Sequence, residues 1–366
     1  MLRFLLVFVL LLSACADRIE SPIVPEAADI GSNRRIYVAT NREQTPEGFY
    51  GIGRSNELKL LRLLVSIPPE RKIGTISDGQ KKPDPVKDFT LARQARFDSE
   101  VSFREALRAD IAKAPDQEAT VYVHGFNNSF ADPAFRLAQL SYDLEIPSAL
   151  VTFSWPSRGN PFGYQYDIDS AFYSRDALAR LLKTVKAAGS KRITLIAHSM
   201  GSALTMETLR TIEISEPGWA ARNLAGVILI SPDVNVDLFR EQTRQFKEWP
   251  QPFVVFSSQR DKALLLSGRI RGDNRQLGKL TDLSEVEDLP VTFIDVSDFV
   301  DGTDHFVAGS SASFISLIGG ARDAGIDFLS GTDDASIPLF GSSRVIGSAR
   351  RVDFNPVQGA MRFVGK

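Results

Sequence analysis

Ile193-Thr194-Leu195-Ile196-Ala197-His198-Ser199-Met200-Gly201 decides the fold. Its first four residues form an apolar run of strand length, and Leu204, Thr205, Leu209 and Ile212 then recur at helical spacing. Ser199 therefore falls on the sharp turn between strand and helix, a position from which a serine hydroxyl can act as a nucleophile. Such a turn presses strand and helix together, so the residues two before and two after the serine must be small. Ala197 and Gly201 satisfy that need, with alanine standing where glycine is more usual.

A serine nucleophile needs a base, and the chain has only three histidines. His198 is locked in the turn and His124 lies far upstream, which leaves His305. It follows the strand-like run Pro290-Val291-Thr292-Phe293-Ile294-Asp295-Val296 and opens a helix-like stretch through Phe306 and Phe314. The acid that orients the imidazole is expected between Ser199 and His305, at the carboxyl end of a strand. Phe253-Val254-Val255-Phe256-Ser257 leads to Asp261, and Gly226-Val227-Ile228-Leu229-Ile230 leads to Asp233. Asp261 is preferred because it follows the penultimate strand, whereas Asp233 suits a turn or a helix cap; Asp233 stays the alternative acid.

Acyl transfer also needs donors aimed at the developing oxyanion, each worth about 3 to 4 kcal/mol of transition-state stabilisation. The backbone N–H of Met200, just after the serine, is one candidate. The other comes from Thr120-Val121-Tyr122-Val123-His124-Gly125-Phe126-Asn127, an earlier strand and loop in which Gly125 permits a sharp turn and aims the amide of Phe126. His124 is then expected to bond loop carbonyls, and Asn127-Asn128-Ser129 reads as turn chemistry.

These features resemble the α/β-hydrolase superfamily and, more narrowly, a bacterial esterase/lipase-like family of largely uncharacterised lipoproteins and cytoplasmic relatives. The resemblance is carried by Tyr122-Val123-His124-Gly125-Phe126-Asn127, Phe153-Ser154-Trp155-Pro156-Ser157-Arg158-Gly159, the nucleophile elbow, Ser258-Gln259-Arg260-Asp261-Lys262-Ala263-Leu264 and Asp304-His305. It implies a serine hydrolase with Ser199, Asp261 and His305 in the triad positions, without fixing the substrate. Dehalogenases and epoxide hydrolases of the same fold carry aspartate where Ser199 stands.

The amino terminus carries a separate signal. Met1-Leu2-Arg3 is a positive start, residues 4–12 are apolar, and Leu12-Ser13-Ala14-Cys15 looks like a bacterial lipobox. The apolar run is too short for a permanent span, so residues 1–14 read as a lipoprotein signal peptide. Cys15, the only cysteine, becomes the lipidation site and membrane anchor. Ala16 after it favours, by resemblance to enteric lipoproteins, an outer-membrane location facing the periplasm. Residues 15–33, with Pro22, Pro25, Gly31 and Ser32, read as a tether.

With 366 residues, 43% hydrophobic and 24% charged, the chain can bury a large core. A net charge of −2 leaves no electrostatic footprint for nucleic acid, and a single cysteine excludes a disulfide framework within the chain. Scattered histidines argue against a structural metal, and no cofactor is expected. Strands alternate with helices from Val121 onward, which implies a mostly parallel twisted sheet with helices on both faces, and the resemblance implies one such α/β domain over residues 34–318. Ile36 to Thr40 and residues 58–67 read as its first strands, with a polar loop over 42–56 between them. Ser102 with Glu105 reads as a capping box, and Asp132-Pro133 as a second helix start. Residues 319–366, rich in glycine, serine and aspartate, read as an extension packed on the domain or loosely ordered.

From Trp155 to Tyr173, a mobile-looking backbone with Gly159, Pro161 and Gly163 carries the rings of Phe162, Tyr164 and Tyr166; Tyr164 and Tyr166 either form an apolar wall or short lid over an acyl chain or simply pack on the helix expected after Asp169. Arg269, Arg271 and Arg275 cluster after the acid-bearing loop, where they either meet an anionic substrate or are simply solvated. The expected activity is hydrolysis of a small-molecule carboxylic ester through an acyl-enzyme. A thioesterase or amidase would use the same chemistry, and a lipid-anchored envelope binding or organising protein would keep the fold without it.

Overall fold

A computed structural model describes residues 21–79, 81–280, 282–299, 305–323, 350–355 and 360–364. Its strands are β1 (Ser32–Gln44), β2 (Tyr50–Ile67), β3 (Thr90–Arg96), β4 (Ala119–Val123), β5 (Ala149–Phe153), β6 (Ile193–His198), β7 (Leu224–Ile230), β8 (Phe253–Ser257), β9 (Thr292–Asp295), β10 (Arg350–Asn355) and β11 (Ala360–Val364). The helices are α1 (Glu100–Ile111), α2 (Asp132–Asp143), α3 (Tyr164–Tyr173), α4 (Arg175–Ala187), α5 (Met200–Ser215), α6 (Trp219–Asn223), α7 (Val236–Thr243), α8 (Lys262–Arg271), α9 (Val307–Ser310) and α10 (Ala312–Asp323).

The strands form one sheet in the order β11-β10-β9-β8-β7-β6-β4-β5-β1-β2-β3. Pairing is parallel from β10 through to β1 and antiparallel at β1 with β2, β2 with β3, and β10 with β11. Strand periodicity sorts side chains to the two faces. Val121, Val123, Leu195 and Ala197 join a core with Phe103, Leu107, Leu178, Leu204 and Phe239, so α1, α4, α5 and α7 cover that face. Tyr122, Ile196, Ile228 and Phe256 join Ala134, Leu137, Leu140 and Phe314, so α2 and α10 cover the other. Strands buried on both faces read as continuous apolar runs, which is why β4 to β8 were visible in the sequence.

Four expectations change. The loop expected over 42–56 is largely strand, because β1 and β2 pair as a long hairpin down to Gln44 opposite Tyr50. The tether expected to Asn33 is already attached from Ile23, which bridges Leu91; Ala27 is fully buried and its carbonyl accepts from Ser66 Oγ at 2.7 Å. Residues 23–32 therefore lie at the amino-terminal ends of the parallel strands. The boundary expected at 318 falls inside α10, which continues to Asp323, and of the two readings of 319–366 the described residues take the packed one, with β10 and β11 extending the sheet beyond β9. Helix starts shift as well. Ser99, not Ser102, caps α1 by accepting from Ser102 N, and Asp132 is the first residue of α2, its carboxylate accepting from Ser129 N at 2.7 Å. The expected signal peptide and Cys15 lie outside the described residues.

Candidate active site

Ser199 follows β6 directly and stands at φ 52°, ψ −123°, a backbone conformation that non-glycine residues rarely hold. The turn is fixed from both sides, since Ser199 N donates to Ile230 O at 3.0 Å and Ser199 O accepts from Ser202 N at 2.9 Å and Asp233 N at 3.2 Å. The small-residue requirement at Gly201 has a measurable cause. A Cβ there would lie 2.2 Å from the His124 carbonyl oxygen and 2.7 Å from that of Val123. A Cβ on Gly125 would lie 2.8 Å from Cβ of Ser199. The two loops thus touch through glycine backbone.

The three residues expected to converge do so. His305 Nε2 lies 2.8 Å from Ser199 Oγ, and His305 Nδ1 lies 2.5 Å from Asp261 Oδ2. Asp261 is the N-cap of α8, and its two oxygens divide the work: Oδ1 accepts from Leu264 N at 3.0 Å and Oδ2 faces the imidazole. The carboxylate is 1% exposed and the imidazole 21%, so the acid is sequestered while the ring reaches the solvent side.

Asp233 is not brought to His305. Its buried carboxylate accepts from Tyr164 Oη at 2.7 Å and Ser267 Oγ at 2.9 Å, with Arg271 at 3.6 Å. Nor is it a helix cap, since Asn235 caps α7. Arg271 Nε also donates to Tyr164 Oη at 2.7 Å, while Arg275 is exposed and paired with Asp237 and Glu285. Of these arginines only Arg271 is drawn into the structure near the site.

The two aromatic candidates part company. Tyr164 begins α3 rather than a mobile loop, is nearly buried, and meets the Phe126 ring edge-on at 5.4 Å between centroids. Burial first, then the neighbouring Asp233 charge, raises its pKa well above the usual tyrosine value. Tyr166 has other partners: its hydroxyl donates to Ile52 O at 2.7 Å, and the guanidinium of Arg54 lies 4.3 Å from its ring centroid.

Both expected oxyanion amides are unspent. Neither Phe126 N nor Met200 N donates to an acceptor among the described residues, although neighbouring amides of the same loop are bonded. His124 bonds loop carbonyls as expected, with Nδ1 at 2.8 Å from Gly125 O and Nε2 at 3.1 Å from Trp155 O. Burial, reinforced by the Arg42 charge, lowers its pKa to about 3. The ring is therefore neutral near pH 7, carries one proton and donates to one of the two carbonyls. His198 is also held well below the usual histidine range, first by desolvation and then by His305, whose ring centroid is 4.8 Å away.

Sequence reading missed a buried support beneath this site. Arg42, 1% exposed, donates to Ser157 O at 2.8 Å, Asn128 O at 2.9 Å, Gly51 O at 3.1 Å and Ser154 Oγ at 3.2 Å. Burial pushes its pKa down to about 10. Asp167, fully buried, accepts from Ser157 Oγ at 2.5 Å, Arg158 N at 2.7 Å and Asn127 N at 3.2 Å; burial raises its pKa. The Trp155 ring stacks on His124 at 4.6 Å and its Nε1 donates to His124 O. The segment Ser154-Trp155-Pro156-Ser157-Arg158 was the available signal, though its role requires contacts across as many as 115 residues of chain. Among the described residues no group of three His, Cys, Asp or Glu side chains could hold a metal ion.

An eight-strand parallel sheet with a serine elbow after its central strand defines an α/β hydrolase. The chain belongs to the family described as "Alpha/beta hydrolase of unknown function (DUF900)", whose family model matches residues 99–318. No curated protein matches it. Among solved structures it is similar to ESTFA in its Fe-lacking apo form, at 11% identity over 82% of this chain and 85% of that one, with a TM-score of 0.37. It is also similar to LAE6, an alpha/beta hydrolase enzyme from the metagenome of Lake Arreo, Spain, at 10% identity over 83% of each chain and TM-score 0.36. The Pyrococcus furiosus esterase Pf2001 is a third, at 11% identity over 84% of this chain and 99% of that one, TM-score 0.36.

Proposed function

We propose that this protein is a serine hydrolase acting on carboxylic esters through an acyl-enzyme. The observation that carries the reading is the unbroken line from Asp261 Oδ2 through His305 to Ser199 Oγ, with bonds of 2.5 and 2.8 Å. His305 removes the Ser199 proton as the hydroxyl oxygen attacks the carbonyl, and Asp261 holds the imidazole and stabilises the imidazolium. The free N–H groups of Phe126 and Met200 donate to the oxyanion. His305 returns the proton to the leaving alcohol; water, deprotonated by the same ring, then attacks the acyl carbon, and the bond to Ser199 Oγ breaks as that oxygen takes the proton back from His305.

A fluorophosphonate probe tests this directly. Covalent labelling that disappears in Ser199→Ala is the expected result; an unlabelled wild type would favour a binding protein that keeps the fold without the chemistry. The lipobox at Cys15 supports lipid anchoring in the cell envelope. Fractionation of cells carrying Cys15→Ser checks it, a variant still in the membrane fraction counting against the anchor.

A further inference from the structure

The amide of Phe126 shares a peptide plane with the carbonyl of Gly125, so whatever fixes that carbonyl fixes the direction of the N–H. The side-chain amide of Asn128 donates to it at 3.2 Å, and His124 Nδ1, 2.8 Å away, adds a second bond in the tautomer that carries its proton there. The same Asn128 amide nitrogen donates to Phe126 O at 2.8 Å. Both partners are carbonyl acceptors, so only the NH₂ end of Asn128 can face them. One side chain thus clamps the peptide planes on either side of Phe126, next to Asn127 in its left-handed conformation at φ 60°.

Asn128 is itself fastened through its backbone. Its N–H donates to Ser157 Oγ at 3.0 Å and its carbonyl accepts from Arg42 at 2.9 Å. Ser157 in turn donates to Asp167 at 2.5 Å, and Arg42 also holds Ser157 O at 2.8 Å. The buried Arg42 and Asp167 therefore press on Asn128, and Asn128 on the plane whose N–H is left without an acceptor beside Ser199.

We infer that Asn128 is the positioning residue of the oxyanion site: by clamping the Gly125 and Phe126 carbonyls it stops the Gly125–Phe126 plane from flipping and keeps the Phe126 N–H turned toward the tetrahedral intermediate. The inference rests on the serine-hydrolase reading and deepens it. It gives Asn128 work beyond the turn chemistry legible in the sequence, and gives the Ser154-to-Arg158 segment the role of its support.

The test compares full-length wild type with Asn128→Ala and Asn128→Asp on p-nitrophenyl butyrate, each normalised by fluorophosphonate titration of active sites. Losing an aligned oxyanion donor lowers kcat by about 10²-fold. We expect that fall with KM changed less than about threefold, and an equal fall in affinity for a trifluoromethyl ketone that mimics the intermediate. Asn128→Asp, whose carboxylate repels both carbonyls, should be at least as impaired as Asn128→Ala. Ser157→Ala, which leaves Asn128 in place but loosens it, should lose less, and it decides the matter if the Asn128 variants do not fold. An unchanged kcat per titrated site, or a rise in KM alone, overturns the inference while leaving the nucleophile intact. A wild type that neither turns over nor labels overturns both.

Discussion

Asp261 Oδ2 sits 2.5 Å from Nδ1 of His305, 44 residues away in sequence, while the other candidate acid, Asp233, is bonded to Tyr164 and Ser267. Asp261→Asn should therefore leave the imidazole wrongly held and cut turnover by up to about 10⁴-fold. Asp233→Asn should leave turnover within an order of magnitude. Steady-state rates per titrated site check both, and the reverse ranking would move the acid to Asp233.

Tyr164 supplies a buried hydroxyl to the Asp233 carboxylate, so Tyr164→Phe should destabilise the fold by about 1 to 3 kcal/mol in urea denaturation. Its ring, which meets Phe126, is retained, so the proposed triad should stay assembled. Tyr166→Ala should leave acyl-length preference unchanged, because Tyr166 is spent on Ile52 and Arg54. A shifted preference over a series of p-nitrophenyl esters would restore Tyr166 to the pocket.

Gly201→Ala should cost about 3 kcal/mol or more, since the added methyl meets two backbone carbonyls that cannot swing aside as a side chain would. Soluble yield and the thermal midpoint measure it. A variant as stable as wild type would mean that strand β4 and helix α5 can separate at this contact.

The buried His124 ties stability to pH. Its folded-state pKa is lowered to about 3, whereas an unfolded histidine takes a proton below about 6.5. The unfolded chain then binds the extra proton, so stability falls as pH drops from about 6.5 toward 3, by up to about 1.4 kcal/mol per pH unit. His198 acts in the same direction. Glu100, Asp110 and Asp143, whose pKa values are lowered, withdraw their contributions only below about pH 4.5. Urea denaturation between pH 6.5 and 4.5 should show the loss, with a shallower slope in His124→Gln; an identical slope contradicts the account.

The central sheet and the three converging side chains were legible because each depends on local pattern: doubly buried strands, a serine between small residues, and one unassigned histidine. What was not legible depends on pairing at a distance. Arg42 reads as the start of a polar loop, and only its contacts with Asn128 and Ser157 reveal why it is buried. Tyr164 and Tyr166 are two residues apart in one glycine-rich segment, yet helix α3 turns one toward Asp233 and the other toward Ile52. The strands β10 and β11 lie in a segment whose composition suggests no strand, and the edge offered by β9 gives them their partner.

The bridge of Ile23 to Leu91 carries a spatial consequence. It fastens the incoming chain to the rim of the sheet opposite the one bearing Ser199. A lipid at Cys15 would have eight residues of leash to Ile23, at most about 28 Å, against a body about 50 Å across. If the proposed anchor holds, so short a leash turns the Ser199 rim toward the aqueous compartment, and the proposed hydrolysis would favour dissolved esters over the same esters buried in a bilayer.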